Sequence, residues 1–225
     1  MTGGILAALD TVTDPELDQP ITELGFVAEA DVTDGLARVR LRLPTYFCAP
    51  NFAYLMVADA HDAVAALPEV STVDVKLLDH FAAEEINAGV AGGAGFTGSF
   101  PGQATTELDE LRLVFRRKAY LASLDRLGTR LAKDGIDPIG LTLADVPPGR
   151  ELAGLLRRRA DLGLDLAGEA PLLLDERGAP IPAAAAPLRL RFARSVRISI
   201  EGNAGFCRGL LRTRYPAGAS LRANT

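Results

Sequence analysis

Phe26-Val27-Ala28-Glu29-Ala30-Asp31-Val32-Thr33-Asp34-Gly35-Leu36-Ala37-Arg38-Val39-Arg40-Leu41-Arg42-Leu43 is the stretch whose reading decides the fold. Asp34-Gly35 favours a tight hairpin turn, because both residue types tolerate positive φ. After it, Ala37, Val39 and Leu41 alternate with Arg38, Arg40 and Arg42, the period of a half-buried strand with its arginines on one face. Phe26–Val32 and Leu36–Leu43 are therefore predicted to pair. Working outward, a helix is expected from about Gly4 to Thr11, and Asp14-Pro15-Glu16 opens a turn into Ile21–Leu24. A second helix is expected over about Asn51–Ala66, ended by Pro68-Glu69, and Val70–Leu77 returns as a strand through Val73, Val75 and Leu77. The order α-β-β-α-β predicts an α/β (α+β) module: a small mixed sheet with helices on one side.

The whole chain has 225 residues, 23.8 kDa, enough for one large domain or two small ones. A net charge of −5 hides an asymmetry: residues 1–110 hold 18 Asp/Glu against 4 Lys/Arg, and residues 111–225 hold 11 against 20. That contrast predicts a boundary near residue 100. Between Ala91 and Thr106 lie five glycines, one proline and no charge, the composition of a flexible linker. Its Phe96 and Phe100 are either loosely packed or docked on a domain or a partner. The organisation expected is an N-terminal domain over 1–88, a Gly-rich linker over 89–106 and a client-recognition or accessory domain over 107–225.

In that last part, Glu107–Lys133 is the strongest helix, with an apolar stripe through Leu108, Leu111, Leu121, Leu124, Leu127 and Leu131. Gly149–Leu162 reads as another helix, containing Arg157-Arg158-Arg159. Pro171–Leu174 suggests a short strand, and Leu188–Glu201 alternates as a strand through Val196, Ile198 and Ile200. The segment 202–225, rich in Gly and Arg, reads as irregular. The C-terminal part is thus expected to be helical plus strand.

Several function classes are excluded by composition. No apolar run approaches the roughly 18 residues of a membrane helix, and no secretion signal is legible. Two cysteines 159 residues apart form no disulfide framework and fit a reducing cytoplasm. A nucleic-acid role is disfavoured: eight arginines follow Leu188, but lysine is absent there and the pI is about 5.1. No serine or cysteine triad has supporting spacing, and residues 89–98 lack the Gly-Lys-Ser/Thr of a phosphate loop.

Cys48 is the leading chemical candidate. It follows a strand and the loop Pro44-Thr45-Tyr46-Phe47, and Ala49-Pro50 begins a helix directly after it. Proline suits a first helical turn. A cysteine there faces unpaired backbone N–H groups and the positive dipole end, which favour a thiolate; the competing reading is a buried apolar cysteine. Asp14 and Glu16 are either a capping turn or carboxylates near the thiolate, and Thr45 could donate a hydrogen bond to the sulfur. His80, just past the last strand, is a candidate metal ligand or a surface residue, and His61 lies mid-helix. Cys207, in a glycine-rich context beside Arg208, which would favour its thiolate, could meet Cys48 to make a two-thiolate site.

Asp14-Pro15-Glu16-Leu17, Ile21-Thr22-Glu23-Leu24-Gly25-Phe26-Val27, the Val39–Leu43 strand, Thr45…Cys48 and Val70–Leu77 together resemble the SufT/PaaD family of small iron–sulfur assembly factors, domain of unknown function fifty-nine. The resemblance covers about residues 1–85. It implies an α/β fold and a role in maturing metal centres, with Cys48, Asp14, Glu16 and Thr45 as the functional cluster. The sequence departs from the family pattern at Cys48-Ala49-Pro50 in place of Cys-Pro, at Pro44 in place of threonine, at the bulky Tyr46-Phe47 pair and at Leu78-Asp79-His80-Phe81 in place of a proline–tryptophan ending.

The function expected is therefore a non-catalytic, cytoplasmic maturation factor. It would hold iron or an iron–sulfur cluster transiently through Cys48, with Asp14, Glu16, His80 and Cys207 as further candidate metal ligands and Thr45 in support. Its expected partners are a client metalloenzyme (a multicomponent oxygenase by analogy), other cluster-assembly proteins and a second copy in a homodimer, with neither nucleic acid nor membrane. The alternatives are a metal-free chaperone or adaptor for an enzyme complex, and a thiol enzyme.

Overall fold

The computed structural model describes residues 2–216. Two units divide the described residues: residues 110–202 form one, and residues 2–109 together with 203–216 form the other.

The first unit contains helix α1 (Thr2–Leu9), the two-residue pair β1 (Thr13–Asp14) and β2 (Gln19–Pro20), strands β3 (Val27–Thr33) and β4 (Leu36–Arg42), helix α2 (Pro50–Ala65), strand β5 (Thr72–Leu78), and helices α3 (Ala83–Ala91) and α4 (Gly95–Ser99). The sheet order is β3-β4-β5, with β3/β4 antiparallel and β4/β5 parallel, the mixed sheet the sequence predicts. Asp34 and Gly35 take φ of 51° and 79°, so the hairpin turn has positive φ at both central residues. On β4, Ala37, Val39 and Leu41 are buried, whereas Arg38 and Arg40 stay partly exposed and Arg40 pairs with Asp74 of β5 at 2.5 Å. The core gathers Ile5, Leu9, Phe26, Val39, Leu41, Val57, Val64 and Leu77, joining α1 and α2 to the sheet.

Residues 89–106 depart from the expected linker. They contain the end of α3 and all of α4, and Phe100 is buried. Phe96 packs on Tyr54 of α2 (centroids 5.4 Å apart) and on Phe100 (5.0 Å), while the Glu107 carboxylate accepts the N–H groups of Phe96 and Thr97. Gly89 makes this possible: a Cβ there would lie 1.7 Å from Ser99 Oγ, so glycine permits the backbones of α3 and α4 to approach. The composition suggested flexibility, but two aromatic anchors outweigh it.

The second unit holds helices α5 (Asp109–Lys133, from its second residue) and α6 (Arg150–Asp161) and the first part of α7 (Ala186–Arg214). Its core is Tyr120, Leu124, Leu127 and Leu131 of α5, Leu155 of α6, and Leu143, Leu164, Leu172 and Leu174. Arg159 is fully buried in it and donates to the carbonyls of Asp165 (2.9 Å), Pro171 (2.7 Å) and Leu172 (2.7 Å). The strand expected at Pro171–Leu174 is reduced to two isolated bridges, Thr142 with Pro171 and Leu174 with Pro180.

The strand expected over Leu188–Glu201 is instead helical, and so is the first part of the segment expected to be irregular; residues 217–225 of that segment lie outside the described residues. The buried positions of α7 are Ala186, Ala193, Ile200, Ala204 and Leu211, spaced by seven, seven, four and seven. That is a helical stripe. The apparent alternation misled because Ile198, one of its members, is solvent-exposed. The expected accessory domain, 107–225, is thereby divided, its last helical turns packing into the first unit through Ala204 and Leu211. No helix among the described residues is long and apolar enough to cross a membrane.

Candidate thiol site

β4 ends at Arg42, and Leu43 and Pro44 are buried before the loop reaches Cys48. Pro50 occupies the first turn of α2. Because the residue before proline is driven out of the helical region, Ala49 is extended (φ −58°, ψ 126°), and no side chain caps the helix. Cys48 thus sits one residue outside an uncapped helix start, half-buried, its Sγ 3.3 Å from Thr45 Oγ1. The hydroxyl shifted by one residue along the loop still reaches the sulfur.

His80 fixes the same loop from the other side. After β5, Asp79 adopts a left-handed φ of 48° and turns the chain back. His80 Nε2 then donates to the Cys48 carbonyl at 2.7 Å, and Nδ1 accepts the Ala82 N–H at 3.2 Å. Both ring nitrogens have backbone partners, so the ring is held as the neutral Nε2–H tautomer. The segment after the last strand thus folds back onto the Cys48 loop, and His80 is buried rather than a surface residue. Burial pushes its pKa below the ordinary value, helped by the nearby Arg214 charge and opposed by the bond to Cys48. One residue on, the Phe81 N–H donates to the Tyr46 carbonyl at 3.1 Å.

The helix end of the first unit closes this loop pair. Arg214 donates to the carbonyls of Leu43 (3.1 Å) and Asp79 (2.5 Å), and Tyr215 Oη donates to the Asp79 carboxylate at 3.0 Å. The Arg42 guanidinium lies 4.9 Å from the Tyr215 ring centroid. Arg214, Tyr215 and Asp79 went unnoticed in the sequence, because nothing local marks a distant helix end as a clamp.

Asp14 is buried, and one of its oxygens accepts the N–H groups of Glu16 and Leu17 at 2.9 Å each, the capping-turn geometry. Burial raises its pKa to about 6 despite those two donors. Glu16 accepts a bond from Asn203 at 3.4 Å. Cys207 lies within electrostatic reach of Asp14, Cys48 and Glu16: burial first, and then these ionisable neighbours, push its pKa up to about 11. Arg208 acts in the expected direction but is outweighed, and its guanidinium bonds to Gln19. Cys207 is therefore held as a thiol even though Arg208 favours the thiolate as expected. Among the described residues, no three His, Cys, Asp or Glu side chains converge as a metal-holding group. His61 stands on α2 beside Asp62, away from these contacts.

Three exposed aromatic rings rim Cys48. Phe47 is 77% exposed, Tyr46 48% and Phe81 47%. Their centroids are 5.0 Å (Tyr46–Phe47), 6.0 Å (Phe47–Phe81) and 6.4 Å (Tyr46–Phe81) apart, and Phe81 also stacks on His80 at 4.9 Å. Clustered apolar surface of this kind marks interaction sites.

The chain matches the model of a family described as iron–sulfur cluster assembly protein over residues 4–75. It is 36% identical over 75 residues to the Fe-S protein maturation auxiliary factor YitW of Bacillus subtilis (strain 168), covering 33% of this chain and 72% of that protein. No solved structure gives a significant match.

Proposed function

The chain belongs to the iron–sulfur cluster assembly protein family through its N-terminal residues 4–75, and from this premise we propose that it is a non-catalytic maturation factor in which Cys48 carries the cargo. The observation that supports this reading is the Cys48 loop itself. The thiol stands at an uncapped helix start with the Thr45 hydroxyl 3.3 Å away, and its backbone is pinned by His80. The Cys48 thiol gives its proton to solvent, the resulting thiolate ligates iron or an iron–sulfur fragment, and the Thr45 O–H donates to the sulfur. Asp14, Glu16 and Cys207 lie in the same electrostatic neighbourhood as Cys48, with Asp14 buried and the other two half-buried. Incomplete protein ligation suits a carrier, because a closed four-ligand site would hold its metal rather than release it.

Tyr46, Phe47 and Phe81 would face the client metalloenzyme that receives the cargo. A cytoplasmic setting and a multicomponent oxygenase as client are extensions of the same reading. The exposed aromatic rim also supports a second reading, a metal-free adaptor that holds an enzyme complex through that surface. Anaerobic reconstitution with iron and sulfide, followed by absorbance and metal analysis, separates the two. Binding by the wild type and its loss in Cys48→Ser supports the carrier. Absence of binding by the wild type overturns it in favour of the adaptor. Loss in Cys207→Ser as well indicates that both thiols serve the site.

A further inference from the structure

The second unit contains a cleft of about 650 Å³ bounded by α5, α6 and the first part of α7. Six cationic side chains line it (Arg126, Arg130, Lys133, Arg150, Arg157 and Arg197) against three carboxylates, those of Asp134, Glu151 and Glu201. The remaining lining residues are Ser123, Thr129 and Gly154, so no aromatic or aliphatic side chain faces the space. We infer that this cleft binds a compact multivalent oxyanion of the phosphate or polycarboxylate type.

Charge balance is the first argument. Arg197 is satisfied by Asp125 at 2.5 Å and Glu201 at 2.6 Å, and Arg150 by Glu151 at 2.7 Å; Arg126 reaches Glu201 at 3.6 Å, and Arg130 reaches Asp134 at 3.7 Å and Glu151 at 3.9 Å. Lys133 and Arg157 have neither an ion pair nor a hydrogen-bond partner among the described residues, although both face the cleft. Like charges gathered in one concavity focus a positive potential that a multivalent anion neutralises. Five of the six cations are arginines, whose planar forks match carboxylate and phosphate oxygens.

The second argument is Gly154. It lies in the middle of α6, where glycine weakens a helix relative to alanine. A Cβ at Gly154 would meet nothing within 4 Å, so packing does not demand the glycine. What its missing side chain preserves is open volume inside the cleft. With no aromatic or aliphatic residue in the lining, its apolar surface being only the stems of polar and charged side chains, the cleft lacks the stacking or apolar wall of a nucleobase or lipid site and suits a ligand recognised by its oxygens.

The test is isothermal titration of the full chain with pyrophosphate and, separately, with citrate at low ionic strength. It compares the wild type with a Lys133→Glu/Arg157→Glu double variant and with Gly154→Leu, which fills the cleft from an open position. Saturable binding of at least one probe is expected, weakening as salt is added, and falling roughly tenfold or more in both variants while their circular dichroism is unchanged. Binding of pyrophosphate alone assigns a phosphate ligand, and binding of citrate alone assigns a polycarboxylate. The assignment is overturned if neither probe binds the wild type or if both variants bind as the wild type does. Iron and sulfide are absent throughout, so this result is independent of cargo binding at Cys48.

Discussion

His80 donates through Nε2 to the carbonyl oxygen of Cys48 at 2.7 Å, so the candidate ligand histidine holds the thiol loop by its backbone. Its Nδ1 accepts the Ala82 N–H, and a proton on that nitrogen would break this bond. The folded pKa lies below the ordinary 6.5, so the unfolded chain binds more protons there, and stability rises with pH across the interval between the two values. Acidification from pH 7 through 6.5 and lower is expected to remove the His80 contribution to stability, which the difference between wild type and a His80 variant isolates from the opposite contribution of Asp14. His80→Ala should lose about 1–3 kcal/mol at pH 7 and respond less to pH in that interval. Urea denaturation of both proteins at several pH values measures this, and an equal slope in the variant would refute the role.

Asp14 has the opposite sign. Its folded pKa, raised from 3.8 to about 6, means that the native state binds the extra proton, so stability is full below 3.8 and declines as pH rises through about 6. Asp14→Asn keeps an oxygen to accept the Glu16 and Leu17 N–H groups and removes the buried charge. The variant should be more stable than the wild type at pH 8 by on the order of 2–3 kcal/mol, with the gain vanishing near pH 4. Paired denaturation curves at the two pH values are the check.

Cys207, with its pKa near 11, should remain a thiol at pH 8 and resist alkylation by iodoacetamide, since only the thiolate is the nucleophile. Asp14→Asn removes one of the charges that raise that pKa and should speed labelling of Cys207. Peptide mass spectrometry after timed alkylation reads both rates. Rapid labelling of wild-type Cys207 at pH 8 would contradict the buried environment described.

Arg159→Met should destabilise the second unit by roughly 3 kcal/mol or more, because three backbone carbonyls, that of Leu172 buried, lose donors from the fully buried guanidinium. Arg159→Lys should recover little of this, since one ammonium cannot reproduce the forked guanidinium. Calorimetry of the full chain is expected to show the loss in both variants. A melting profile of Arg159→Met that matches the wild type would show that the carbonyls find other donors.

Within the first unit, local signals were strong enough to read. The Asp34-Gly35 turn, the β4 alternation and the Pro50 helix start each act over a few residues, and the elements follow from them. The same locality explains why Thr45 and Cys48 were legible as a pair: three residues separate them in one loop. Leu188–Glu201 failed because β-branched residues at alternate positions imitate a strand over a short window, whereas the buried stripe of α7 becomes visible only across Ala186 to Leu211. Residues 89–106 failed because composition reports backbone freedom and not the docking of Phe96 on Tyr54.

What the sequence by itself determined is the α-β-β-α-β order, the position of Cys48 at a helix start and the contrast of charge between the two halves, all consequences of short-range periodicity, turn chemistry and counting. Tertiary structure alone decided that His80 spends both nitrogens on backbone groups, that Cys207 comes under the charges of Asp14, Glu16 and Cys48, and that Arg214 ties Leu43 to Asp79. Apart from the local bond between His80 and Ala82, these interactions join residues 32 to 193 positions apart. Only the folded core brings such residues together, and burial then sets which of their ionisation states the protein can hold.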